Sequence, residues 1–300
     1  MKLRLIYIHS ASHSGSTLLA MQLARHPEVA TVGELAGTPY RSRPGYRCSC
    51  GAELERCGFW RAVSAAMARR GYAYSAATAE TDIRNASNPI VRRLLIPRHR
   101  GPVIESLRAA ALALVPGARA HLERHERLKT ALVESILECT GKPVLVDSSK
   151  SGVQLKYHLR NPRFDVKLIW LVRDGRGVAR SIARNQGASV EQGAYEWRRR
   201  NEEALSIVQG LPAQRWIQVR YEELCAEPEQ TLARVWRFIG VAPERAEDAA
   251  AELHVLGHAS RLKGPAPIRA SERWKSELSA QDLRLFDGVA GALRRELGYR

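Results

Sequence analysis

Short runs of consecutive apolar residues recur at Leu3 to Ile8, Val29 to Val32, Val144 to Val146, Val166 to Val172 and Trp216 to Val219. Runs of this length without polar alternation read as strands buried on both faces, and helical periodicity fills the intervals between them. The pattern predicts an α/β fold with a parallel central sheet flanked by helices. From Ser64 to Thr140 no strand-like run occurs, and the chain reads as helices broken at Pro89, Pro97, Pro102 and Pro116. This stretch, about 64–140, is expected to be a helical insertion that forms a wall or lid over the ligand site. No internal repeat or low-complexity linker interrupts the pattern, so residues 1–300 read as one domain carrying that insertion.

In open parallel sheets ligands bind beyond the carboxyl ends of the strands, which makes the residues just after each run informative. The first run leads into Ser10 to Thr17, SASHSGST, and then into the helical pattern from Leu18. A helix N-terminus carries about half a positive charge and unsatisfied N–H donors, so this P-loop-like segment suits a phosphate. It is not the triphosphatase pattern G-x-x-x-x-G-K-[ST], because Ser10 stands for the first Gly and Ser16 for the Lys. The same residues also suit a plain helix cap, with Ser14 or Ser16 accepting from first-turn amides. The later runs end in Asp147-Ser148-Ser149-Lys150, Arg173-Asp174-Gly175-Arg176-Gly177 and Arg220-Tyr221-Glu222-Glu223. Four polar strand ends in register describe an anion-binding rim. Arg173 at a strand end and Ser181 on the next helix pair a guanidinium fork with a hydroxyl, a combination that suits a phosphomonoester.

The formal charge of +16 and a pI near 10.1 favour anionic ligands, nucleic acid or acidic membrane surfaces. Aromatics make up only 6% of the chain and no zinc-finger, RGG or RNA-recognition pattern occurs, so nucleic acid is not expected as a partner. Peripheral contact with an acidic membrane stays open. The first apolar run is broken at once by His9, Ser10 and Ser12, as in a strand and not a signal peptide. No run reaches the 18 or so apolar residues of a membrane span, and a soluble, cytoplasmic protein is expected. Of five cysteines, Cys48, Cys50 and Cys57 cluster. A structural zinc site wants four ligands and no fourth Cys or His follows at short spacing, so a local disulfide or buried thiols beneath Phe59-Trp60 are expected ahead of metal. Cys139 and Cys225 read as ordinary interior residues.

Together these segments resemble the sulfotransferases that use 3′-phosphoadenosine 5′-phosphosulfate (PAPS), in their bacterial carbohydrate-type and tyrosyl-protein-type branch. The resemblance rests on SASHSGST, HPEVATVGEL, LVRDGRGVARS, RYEEL and the later W-R-F-I-G, and runs from Leu3 to about Trp274. It implies that Ser12, His13, Ser14, Gly15, Ser16 and Thr17 hold the 5′-phosphosulfate and that Arg173 and Ser181 hold the 3′-phosphate. It implies Glu34 as general base toward an acceptor hydroxyl on a sugar or other small molecule, with Lys150 and His13 stabilising developing negative charge. Tyr221 is implied in nucleotide contact and Arg261, within HASRLKGP, in closing over the 3′-phosphate. PAPS is implied as co-substrate and no metal is expected. The chain departs from the family in having His13 where Lys or Arg usually precedes Ser-Gly, and His258 where Asn is common. The rivals are a P-loop-type kinase or triphosphatase, for which Asp147 is the candidate magnesium ligand, and a non-catalytic polyanion-binding protein. The residue pattern encodes neither the acceptor nor the oligomeric state.

Overall fold

Adjacent residues of the strands point to opposite faces, and both faces are covered. In the computed structural model, which describes residues 2–37, 39–78, 81–96, 98–243, 253–264 and 268–300, Leu5 and Tyr7 lie in one apolar cluster while Ile6 and Ile8 lie in another. Leu168, Trp170 and Val172 join the first cluster, and Ile169 and Leu171 the second. Burial on both sides is why these strands read as continuous apolar runs.

The strands are β1 (Leu3–Ser10), β2 (Val29–Gly33), β3 (Val144–Asp147), β4 (Phe164–Val172) and β5 (Trp216–Arg220). They form one parallel sheet in the order β2-β3-β1-β4-β5. All five predicted runs are strands, each extended by one or two residues at an end. Between β1 and β2 lies α1 (Ser16–Leu23). Between β2 and β3 lie α2 (Gly58–Arg69), α3 (Pro89–Leu95), α4 (Pro102–Leu114) and α5 (Ala118–Thr140). Then follow α6 (Gly152–Arg160) after β3, and α7 (Gly175–Gln186) and α8 (Val190–Val208) after β4. The chain closes with α9 (Tyr221–Ala226), α10 (Pro228–Ile239), α11 (Trp274–Glu277) and α12 (Ala280–Glu296).

One face of the sheet is covered by α1 and α10, through Leu19, Leu23, Leu232, Val235 and Ile239. The other is covered by α5, α8 and α12, through Leu132, Ile136, Trp197, Ala204 and Phe286. Pro89 and Pro102 do not interrupt helices but stand first in α3 and α4, where the missing N–H is no loss. Pro116 sits in the α4–α5 junction, and Pro97 lies outside the described residues.

Of the insertion expected as a wall or lid, α2 and α5 are built into the core, while α3 and α4 pack in a separate cluster with Val153 of α6. Trp60, Val63 and Met67 of α2 and Leu132, Val133 and Ile136 of α5 share the cluster that holds Leu5 and Leu145. Burying these apolar faces together holds α2 and α5 in the core.

Candidate active site

Every strand is followed within three positions by a residue that lines one cavity of about 970 Å³, a volume in the range that takes a nucleotide-sized ligand. His13 follows β1, Glu34 follows β2, Lys150 follows β3, Arg173 follows β4 and Tyr221 follows β5. Parallel pairing puts all five carboxyl ends at the same edge, which gathers residues up to 208 positions apart into one rim.

The loop after β1 opens α1 in a way that leaves its amides unclaimed by side chains. The residue before the helix is Gly15, at φ 92°, and no side chain caps the first turn. The alternative reading of a Ser14 or Ser16 cap is therefore not met. Ser14 is buried, and among the described residues its hydroxyl has no hydrogen-bond partner. Gly15 also needs its lack of a side chain for packing: a Cβ there would stand 2.8 Å from Cδ2 of Tyr221. Ser12, Ser16 and Thr17 line the cavity with Gly15, whereas Ser14 does not.

His13 and Lys150 are the two non-glycine residues in the described chain with positive φ, at 59° and 63°. Such conformations cost about 1 kcal/mol or more each and cluster at functional sites. The carbonyl of His13 accepts from Arg173 Nη1 at 2.8 Å, while its ring meets His258 edge-on at 5.1 Å and lies 3.3 Å from Gln186 Nε2. Burial, together with the nearby His258, Arg173 and Lys150, lowers its pKa to about 4. The ring is thus neutral near pH 7, and the cationic role implied for it requires a bound anion to raise that pKa.

Lys150 Nζ donates to Glu34 Oε1 at 2.6 Å, with the two side chains 16% and 14% exposed. Glu34 is held by its backbone on both sides. Its N–H donates to the Leu256 carbonyl at 3.3 Å, and its own carbonyl accepts from Arg41 Nη2. The next amide, of Leu35, donates to buried Asp147 at 3.1 Å. Gly33 allows this approach: at φ 75°, a Cβ there would fall 2.1 Å from the Leu256 carbonyl oxygen.

Arg173 is fixed from several directions. The Trp197 indole donates to its carbonyl at 2.9 Å, its Nη2 donates to the Ser271 carbonyl at 3.1 Å, and its guanidinium lies 4.4 Å over the Tyr221 ring. The Tyr221 hydroxyl donates to the Arg269 carbonyl at 3.1 Å. Ser181 reaches the same cavity from α7, and its hydroxyl donates to the Gly177 carbonyl at 2.7 Å. Arg261 also borders the cavity, but its guanidinium is committed elsewhere. It donates to the carbonyls of Gly257 and Arg47 at 2.6 Å each, lies 4.3 Å over the Tyr46 ring and is 4% exposed. In this arrangement Arg261 ties loops together.

Of two wall segments, 43–46 escaped the sequence reading and 257–260 was read only through His258 and the neighbouring Arg261. Residues 43–46 and 257–260 line the cavity, and among the described residues none of the insertion at 64–140 does. The residue types of 43–46 carry no signal, and the Gly33 and Leu256 bridge that brings 257–260 to the site is a long-range pairing. Asn185, which also lines the cavity, was legible in principle, since it lies four positions beyond Ser181 on the same face of α7.

Comparison with known sequences points to one family. The model of the Sulfotransferase family matches residues 106–245, a stretch that holds Lys150, Arg173, Ser181 and Tyr221. Just under half of the chain thus matches that family. Carbohydrate sulfotransferase 2 of Homo sapiens is 25% identical over 191 residues, covering 47% of this chain and 36% of that protein. The Mus musculus protein of the same name is 24% identical over the same extent. The chain thus spans little more than a third of the length of these relatives. Among solved structures, the sulfotransferase domain from the curacin biosynthetic pathway aligns with a TM-score of 0.54 and 18% identity, covering 100% of this chain and 99% of that one. The sulfotransferase domain from the Synechococcus PCC 7002 olefin synthase aligns at 0.50 and 19%, covering 96% and 95%. At such identities the structural likeness shows the sulfotransferase fold. No helix among the described residues is long and apolar enough to cross a membrane.

Proposed function

We propose that this protein transfers the sulfuryl group of PAPS to the hydroxyl of a sugar or other small-molecule acceptor. The reading is carried by one observation: the α1 N-terminus, uncapped by any side chain, opens on the same cavity that holds the Glu34–Lys150 pair. The amides of Gly15 to Thr17 suit the 5′-phosphosulfate, with the hydroxyls of Ser12, Ser16 and Thr17 beside them. Arg173 and Ser181 suit the 3′-phosphate, Tyr221 lies against Arg173, and the Arg261 tie holds the wall behind them. Ser16 in place of the Walker lysine argues against a triphosphate.

In the step itself, Glu34 takes the proton of the acceptor hydroxyl as its oxygen attacks sulfur. The new oxygen–sulfur bond forms as the bond from sulfur to the bridging phosphate oxygen breaks, and 3′-phosphoadenosine 5′-phosphate (PAP) leaves with that electron pair. Lys150 balances the charge of Glu34 before reaction and is placed to stabilise the sulfuryl and leaving oxygens as negative charge grows there. His13 adds positive charge when the bound anions raise its pKa. No step requires a metal.

A thermal-shift comparison of PAP, Mg-ATP and NAD tests the class. A ligand at a hundred times its Kd stabilises the folded state by about 2.7 kcal/mol, and only PAP is expected to do so. Greater stabilisation by Mg-ATP than by PAP overturns the sulfotransferase reading in favour of a triphosphate enzyme.

A further inference from the structure

Away from the strand ends, three thiols and an imidazole converge on one point. Cys48, Cys50 and Cys57 come from the loop between β2 and α2, and His254 arrives from 197 residues beyond Cys57. One ligand atom from each lies within 4.8 Å of all the others. Cys50 Sγ is 3.7 Å from Cys57 Sγ, and His254 Nδ1 is 3.8 Å from Cys48 Sγ and 3.4 Å from Cys57 Sγ. Around a tetrahedral zinc ion, with Zn–S near 2.3 Å and Zn–N near 2.0–2.1 Å, the S···S edge is about 3.8 Å and the S···N edge about 3.5 Å. The measured separations fit those edges and lie far beyond the ~2.05 Å of a disulfide bond. All five cysteines are unlinked.

The surroundings fit a closed structural site. Cys48 and Cys57 are 0% and 1% exposed. The Cys48 N–H donates to Ala52 and the Gly51 N–H to the Cys48 carbonyl, a tight turn that presents Cys48 and Cys50 together. The Phe59 ring stacks on His254 at 4.6 Å and 3° and fixes its plane. Ligand atoms this close leave room for a single ion and not a cluster, and three sulfurs with one nitrogen suit a thiophilic, tetrahedral cation.

We propose that Cys48, Cys50, Cys57 and His254 bind one zinc ion, which pins the 253–264 segment to the 46–57 loop. The consequence reaches the cavity. Next to His254, Val255 donates to Ser49 Oγ at 2.7 Å and Gly257 to the Tyr46 hydroxyl at 2.9 Å, and Tyr46, Gly257 and His258 line the wall beside Glu34. The ion thus sets the wall without touching the reaction, and the proposal does not depend on which reaction the cavity performs.

The test is metal content of the untagged chain, measured by inductively coupled plasma mass spectrometry after dialysis. One zinc per chain is expected, lost in Cys57→Ser and His254→Ala and kept in Cys139→Ser. Because the variants could fail to fold, the unaltered chain is also grown with cobalt, where the intense visible bands of a tetrahedral thiolate-bound Co²⁺ ion are expected. A folded chain that holds neither metal overturns the proposal. So does zinc retained by folded Cys57→Ser and His254→Ala, or a mass two hydrogens short that reports a disulfide among these cysteines.

Discussion

Replacing Glu34 by Gln removes the charge and the proton acceptor while keeping the shape of the side chain. At 2.6 Å from Lys150 Nζ, the gross attraction is about 6 kcal/mol at an effective dielectric of 20. Desolvation of both groups offsets most of it. Removing one partner of a fully buried pair costs about 3–5 kcal/mol, and at 14–16% exposure the cost here is expected near 1–3 kcal/mol. For a chain of this size that lowers Tm by roughly 2–6 °C, which leaves a folded enzyme to assay. Loss of a general base lowers kcat by about 10²–10⁴. Lys150, released from its partner, faces the anion more freely, so PAP affinity should hold or increase. PAP release from PAPS with a panel of saccharide acceptors gives the rate, and calorimetry gives the affinity. A kcat within about threefold of the unaltered enzyme refutes Glu34 as base. A parallel collapse of PAP affinity shows instead that Glu34 acts by holding the site together.

Arg173→Ala should weaken PAP binding by about 10–100-fold, the usual worth of a charge-assisted contact, and native affinity in calorimetry would remove it from the phosphate site. Gly33→Ala forces a Cβ to within 2.1 Å of the Leu256 carbonyl at φ 75°, so strain of about 1–2 kcal/mol and disruption of the two hydrogen bonds at this bridge should lower stability by about 2–4 kcal/mol in urea unfolding. An unchanged midpoint would show that the bridge does not hold the wall. Lys129 is buried, donates to the Leu35 carbonyl at 2.9 Å, and has its pKa lowered by that burial to about 7. Between about pH 7 and 10 the unfolded chain holds this proton and the folded chain does not. Stability of the native chain relative to Lys129→Met should therefore rise with pH there, by at most ~1.4 kcal/mol per unit. Parallel pH profiles for the two proteins would refute this.

Most of the scaffold was legible because buried parallel strands leave a signal that needs no partner: Leu3–Ser10 and Phe164–Val172 read as apolar runs whatever they pair with. Lys150, Arg173 and Tyr221 were singled out because each follows such a run and Glu34 through the family resemblance, and topology brings all four to one cavity. For 64–140 the pattern showed helices but not their placement, because amphipathic helices show that they bury a face but not which surface receives it. His254 was missed for a related reason. A ligand 197 residues away has no spacing to recognise, and Cys48, Cys50 and Cys57 alone looked one donor short.

The sequence by itself determined the sheet, the small-residue loop before α1 and the residues at the strand ends, since local pattern and chain order are sufficient for those. Only the tertiary structure decided that Lys150 pairs with Glu34 and that His13 is held neutral. It alone showed that Arg261 is committed to backbone carbonyls, and that the 253–264 segment closes one wall against the cysteine loop. Each of these depends on distances and burial between segments far apart in the chain, which no single stretch of residues contains.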